Sequence, residues 1–132
     1  MNANNDVREW VRLAEMDMAT ACHMFDTYRP KPLEIVCFHS QQAAEKILKC
    51  YLVSRDVETP RTHDMRILCD MCIELDTIFT SIYEEAVLLT RYSVIPRYPA
   101  ELELIEQDAE KAIGQAKKVL EFVKNVLFAP DK

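Results

Sequence analysis

The decapeptide TRYSVIPRYP, residues 90–99, brings Arg91, Tyr92, Arg97 and Tyr98 together with Pro96 and Pro99. An arginine fork grips phosphate through two parallel N–H donors, and a tyrosine face stacks on a base. These four side chains are therefore candidates for a nucleotide or RNA site. The structural alternative has Pro99 opening a helix, Tyr98 packing on a bundle end, and Arg97 bonding a carboxylate or helix-end carbonyls. A second stretch, PRTHD at 60–64, adds Arg61, His63 and Asp64. A carboxylate orients an imidazole for proton transfer, and the same pair also makes turn and cap bonds. The ligand-binding candidates are thus Arg61, His63, Asp64, Arg91, Tyr92, Arg97 and Tyr98. If the chain has a catalytic step, His63, Arg97 and Tyr98 are the residues to carry it.

Other chemistry-bearing residues read more simply. Cys69 and Cys72 form a Cys-x-x-Cys, but a structural zinc takes four ligands and no second pair follows. They are expected to serve as small apolar core residues, and neither a metal nor a cofactor is expected. Gln42, Lys46 and Lys49 recur at i, i+4, i+7 as a polar helix row. The lysines are within reach of phosphate in principle, yet the pattern reads as a solvated face. Gln41 and Gln42 beside Ala43 and Ala44 suit a helix-pairing or dimer surface.

These residues need a scaffold, and composition narrows it. The chain has 132 residues, 49% apolar and 29% charged, with a single glycine, Gly114. Turn-rich all-β folds and glycine-rich phosphate loops need more glycine than that. The expectation is one all-α domain over residues 1–132. A net charge of −6 disfavours general nucleic-acid binding, which depends on neutralising phosphates; a local basic patch remains compatible with a nucleotide or short RNA. Five cysteines, no secretory leader pattern and no long apolar run give the expectation of free thiols in a reducing cytoplasm, away from a membrane.

Apolar periodicity places the elements. A first helix spans about 6–28, with Trp10, Ala14, Ala21, Phe25 and Tyr28 inward, Met18 filling the gap better than Asp17, and Asn5 or Asp6 as cap. The second spans 32–54 with Pro32 in its first turn. A short third helix spans 64–75. The fourth runs from 77 to 92 behind an Asp76 cap, with Ile78, Ile82, Ala86 and Leu89 inward. The fifth runs from 100 to 128 along Ile105, Ala109, Ile113, Ala116, Leu120, Val123 and Leu127. Short loops join antiparallel neighbours, so the expected architecture is an up-and-down four-helix bundle with one extra short helix. In that arrangement the loops carrying Arg55, Arg61, Arg91 and Arg97 meet at one end.

Three segments in order resemble the HEPN domain family (higher eukaryotes and prokaryotes nucleotide-binding). HSQQAAEKILKCYL at 39–52 is similar to the family's second-helix signature. PRTHDM at 60–65 is similar to its Thr-His turn before the short helix, and RYSVIPRYP at 91–99 to its Arg-Tyr-Pro segment before the last helix. The resemblance implies an all-α bundle, often a homodimer. It also implies nucleotide or RNA binding and a nucleotidyltransferase partner in a two-component, toxin–antitoxin-like module. Many members are ribonucleases with Arg-x(4–6)-His. Here His63 follows Arg55 by seven intervening residues and Arg61 by one, His39 follows Arg29 by nine, His23 follows Arg12 by ten and Arg8 by fourteen, and no histidine follows Arg91 or Arg97. The expectation therefore leans to binding rather than cleavage. The alternatives are a ribonuclease with a non-standard site and a catalytically silent dimerisation module.

Overall fold

A computed structural model describes residues 3–96 and 103–129. Every regular element in them is helical: α1 Ala3–Thr27, α2 Leu33–Ser54, α3 Met65–Leu75, α4 Tyr83–Leu88 and α5 Glu106–Leu127. Short 3₁₀ segments, Thr77–Ile82 and Thr90–Tyr92, flank α4. α2 is the central helix and packs against α1, α5 and α3.

The expected periodicities account for most of the core. On α1, Val11, Ala14, Met18 and Ala21 are buried, a three–four–three spacing that lines one helical face. Trp10 and Phe25 are only half-buried, and Tyr28 lies beyond the helix and exposed. Because α1 begins at Ala3, Asn5 and Asp6 sit inside its first turns rather than ahead of them. On α2, Val36, Ala43, Ala44, Ile47, Leu48 and Leu52 are fully buried. α2 ends where Asp56 takes a left-handed φ of 58°, a conformation that Asp tolerates better than most residues. Asp64 caps α3 by accepting from the Arg66 N–H at 2.9 Å. Cys69 and Cys72 are core residues, as expected, with burial pushing their thiols up to about 11 and about 12.

Two elements depart from expectation. The 77–92 segment is not one α-helix. Asp76 does cap it, accepting from the Ile78 N–H at 3.2 Å, but both ends tighten into 3₁₀ turns. The buried positions are Phe79, Ile82, Ala86, Leu89 and Tyr92, mostly three residues apart, the repeat of a 3₁₀ turn. That register turns Phe79 inward, where it meets Tyr51 and Phe122 at ring distances of 4.4 and 5.2 Å. Ile78 is left 47% exposed. The last helix starts at Glu106 rather than at 100, with residues 97–102 outside the described set. Ile105 is extended and exposed, and its N–H donates to Asp108 Oδ2 at 2.9 Å. Asp108 thus supplies a local acceptor at the helix start, and Glu106 adds a second negative charge to the first turn, where the helix dipole favours it. Ala109, Ala112 and Ala116 then let α5 lie close to the bundle.

Candidate functional site

Tyr92 follows α4 in the second 3₁₀ segment and is buried, while Arg91 beside it is exposed. The Arg91 guanidinium lies 5.1 Å from the centre of the Tyr92 ring. Across from them, α5 presents Asp108, Lys111 and Gln115, one helical turn apart. Together with Leu88 these residues enclose a surface pocket of about 390 Å³. Among the described residues, neither Arg91 nor Lys111 takes part in an ion pair. Burial, with Cys37 and Asp108 nearby, pushes the Tyr92 phenol up against the opposing pull of Arg91, so it stays protonated at neutral pH. The pocket therefore offers two cations and an amide against one carboxylate, with the buried Tyr92 hydroxyl turned to Cys37, a lining suited to an anionic ligand.

His63 is placed differently from its sequence neighbourhood. Its Nδ1 is 2.8 Å from Glu45 Oε1, in the middle of α2. Of the two readings of the His63–Asp64 pair, the turn-and-cap one holds for Asp64, and the imidazole takes its carboxylate from Glu45 instead. Asp64 spends its carboxylate on the α3 cap, where the backbone N–H groups of a helix start lack other partners. Glu45 is 4% exposed and also accepts from Gln41 Nε2 at 2.9 Å and Lys49 Nζ at 3.1 Å. Gln42 Nε2 in turn donates to Gln41 Oε1 at 2.7 Å. Burial pushes the Glu45 carboxyl up, but the bonds from Gln41, His63 and Lys49 outweigh it and hold the group below the usual carboxylate range.

A parallel arrangement joins α1 to α2. Asp17, 8% exposed, takes His39 Nδ1 at 2.8 Å on one oxygen and Lys46 Nζ on the other. Met18 does fill the core as expected, yet Asp17 is buried beside it. The row of Gln42, Lys46 and Lys49 is thus not a freely solvated face. It is half-buried, and its lysines are ion-paired with carboxylates beneath them. Glu45, Gln41, Asp17, His39, Lys111 and Gln115 were not singled out from sequence as site residues. The available signal was the i−4, i+4 placement of Gln41 and Lys49 around Glu45, which puts all three on one helix face.

The two candidate loops do approach each other. The Met65 N–H donates to Thr90 Oγ1 at 3.2 Å, tying the start of α3, two residues after His63, to the segment that holds Arg91. Gln41, beneath Met65, closes the same contact from α2 with Nε2 3.5 Å from the Met65 sulfur. The meeting point is the flank of α2, not a common bundle end. Arg55 does not join it. It caps α2, with its guanidinium on Tyr51 Oη at 2.8 Å, about 27 Å of helix rise from Cys37 beside Tyr92. Arg61 is exposed on the 61–64 loop. Arg97 and Tyr98 lie outside the described residues. Among the described residues no three His, Cys, Asp or Glu side chains converge as a metal-binding set. None of the described helices is long and apolar enough to cross a membrane.

The chain is similar along most of its length to known helical proteins. The crystal structure of ST0689, an archaeal HEPN homologue, matches at 28% identity with a TM-score of 0.73, covering 92% of this chain and 97% of that one. The crystal structure of TT1696 from Thermus thermophilus matches at 26% identity with a TM-score of 0.78, covering 92% and 98%. No curated protein matches. The model of the HEPN domain family matches residues 7–126, which takes in α2 with its Gln41–Glu45–Lys49 row, the His63 turn and the Arg91–Tyr92 segment; the chain belongs to the HEPN domain family.

Proposed function

We propose that this HEPN-domain protein binds a nucleotide, or a phosphate of RNA, in the pocket between Arg91–Tyr92 and Lys111–Gln115. In this reading it acts beside a nucleotidyltransferase partner in a two-component, toxin–antitoxin-like module. The observation that carries the reading is the pair of cations, Arg91 and Lys111, unpaired among the described residues and facing one pocket of about 390 Å³. That volume lies within the range of small-ligand sites, about 300–1,000 Å³. Arg91 would take a phosphate bidentately and Lys111 as a point charge. Calorimetric titration with ATP, AMP and a short single-stranded RNA tests it. Saturable binding of one of them, lost in Arg91→Ala and weakened in Lys111→Ala, is the expected result. Absence of saturable binding to all three refutes the ligand half. The partner half is tested at the gene and in co-expression: a nucleotidyltransferase reading frame beside this one, with a product that co-purifies with this chain, is expected, and its absence refutes that half.

A second reading, a ribonuclease with a non-standard site, draws on His63. Its ring is held by Glu45, and its loop is bonded through Met65 to Thr90, next to Arg91. An arginine for the phosphate charge and a histidine for proton transfer would then come from separate segments rather than from one linear motif. Labelled RNA incubated with the wild type and with His63→Ala decides it. Cleavage by the wild type alone supports it, and intact RNA in both removes it. A stable dimer with no ligand response and no cleavage would favour the interaction-module reading instead.

A further inference from the structure

We infer that His63 is a covalent phosphoryl-acceptor site, with Nε2 as the nucleophile and Glu45 as the group that holds the ring. The chain has three histidines, and they differ in what nucleophilic attack requires. His39 is mostly covered, its side chain 28% exposed, and shares Asp17 with Lys46. His23 is exposed on α1 but carries no carboxylate on its ring among the described residues. His63 alone combines an open ring, 61% exposed, with an Nδ1 fixed on a carboxylate that is itself 5% exposed.

The chemistry follows from which partner can donate. Glu45 is held below the usual carboxylate range, so it is ionised at neutral pH and can only accept. Nδ1 must therefore carry the hydrogen, which leaves the lone pair of the neutral ring on Nε2. That nitrogen has no partner among the described residues and is directed away from Glu45. Attack of the lone pair on the phosphorus of a reactive phosphoryl donor forms the N–P bond. The bond from phosphorus to the leaving group breaks, and its electron pair departs with that group. The ring gains positive charge in the step, and its Nδ1–H already faces the Glu45 carboxylate, which stabilises that charge. Lys49, on the other Glu45 oxygen, holds the carboxylate in place. Arg61, exposed and without an ion pair among the described residues, stands two residues before His63 and adds a positive charge to the same loop.

Phosphoramidate serves as the donor; it transfers its phosphoryl group and releases ammonia. Intact-mass spectrometry of the full chain should show gain of one phosphoryl group, lost in mild acid and stable in base, with fragmentation placing it on His63. The exposed variant His63→Gln should abolish it. Glu45→Gln should slow it on the order of tenfold, because a neutral amide no longer stabilises the positive charge the ring gains. Arg91→Ala should leave it intact, so failure of the nucleotide-binding reading and failure of this one are separable. No adduct, an adduct retained in His63→Gln, or equal labelling of His23 would each overturn the inference.

Discussion

Replacing Glu45 with glutamine tests how much of the fold rests on one buried carboxylate. The wild-type group satisfies Gln41, Lys49 and His63. A hydrogen bond to a charged group contributes about 1.5–3 kcal/mol net, and a buried donor left without its acceptor costs about 1–3 kcal/mol. His63, mostly exposed, regains water and adds little. Gln41 is fully buried and the Lys49 side chain is 12% exposed, so both lose an acceptor that water replaces poorly. The amide oxygen of the new residue can retain one of them. The expected loss is about 2–3 kcal/mol at neutral pH, or roughly 10 °C in melting temperature for a chain of this size. Urea unfolding by circular dichroism reads it, as a lower midpoint at unchanged slope.

The pH dependence makes the test specific. The folded carboxyl titrates below its unfolded value of about 4.3. Between those two values the unfolded chain binds the proton and the folded one does not. The stabilisation is therefore complete above the unfolded value and fades as pH falls through the folded one. The gap between wild type and Glu45→Gln should be full at neutral pH and close progressively below about pH 4. A gap under about 0.5 kcal/mol at neutral pH, or one of constant size down to the acid transition, would refute the reasoning.

Four further outcomes follow from the same geometry. Asp17→Asn should cost about 2–4 kcal/mol in urea unfolding, because Lys46 and His39 lose a buried partner while keeping partial access to water. Asp64→Ala should cost about 1 kcal/mol through loss of the α3 cap, read the same way. Gly114→Ala should raise stability by about 0.5–1 kcal/mol, since the position lies within α5 and an added Cβ meets nothing within 4 Å. A thiol reagent at neutral pH should label Cys22 first in the native protein, because Cys37, Cys50, Cys69 and Cys72 are buried with thiols pushed up to about 11–12.

The helices were legible in sequence because apolar spacing follows directly from helical geometry. α2 and α3 fall within a residue or so of their expected limits. Register was less legible. Ile78 and Phe79 are equally apolar neighbours, and only the tightening behind Asp76 decides which one turns inward. Ile105 continues the α5 stripe in sequence, yet the backbone there is extended and the side chain exposed. Partners were least legible. His63 pairs with a carboxylate 18 residues away rather than with its neighbour Asp64, and Lys46 with one 29 residues away. Spacing along one helix can suggest an i, i+4 bond such as Gln41–Glu45, but contacts between helices depend on packing that no local pattern encodes.

Glu45 couples stability to the arrangement of the candidate site. α2 bonds the His63 ring directly, through Glu45, and the same carboxylate holds Gln41 under Met65, whose N–H meets Thr90 beside Arg91. A change at Glu45 therefore loosens His63 and also disturbs the contact behind the Arg91 segment. Loss of a function in Glu45→Gln would not by itself assign a role to either residue. His63→Gln and Arg91→Ala divide the two, because both side chains are exposed and neither is part of the buried row. Their stability should stay within about 0.5 kcal/mol of wild type. Any loss of binding or of phosphoryl transfer in them then reports on the side chain itself.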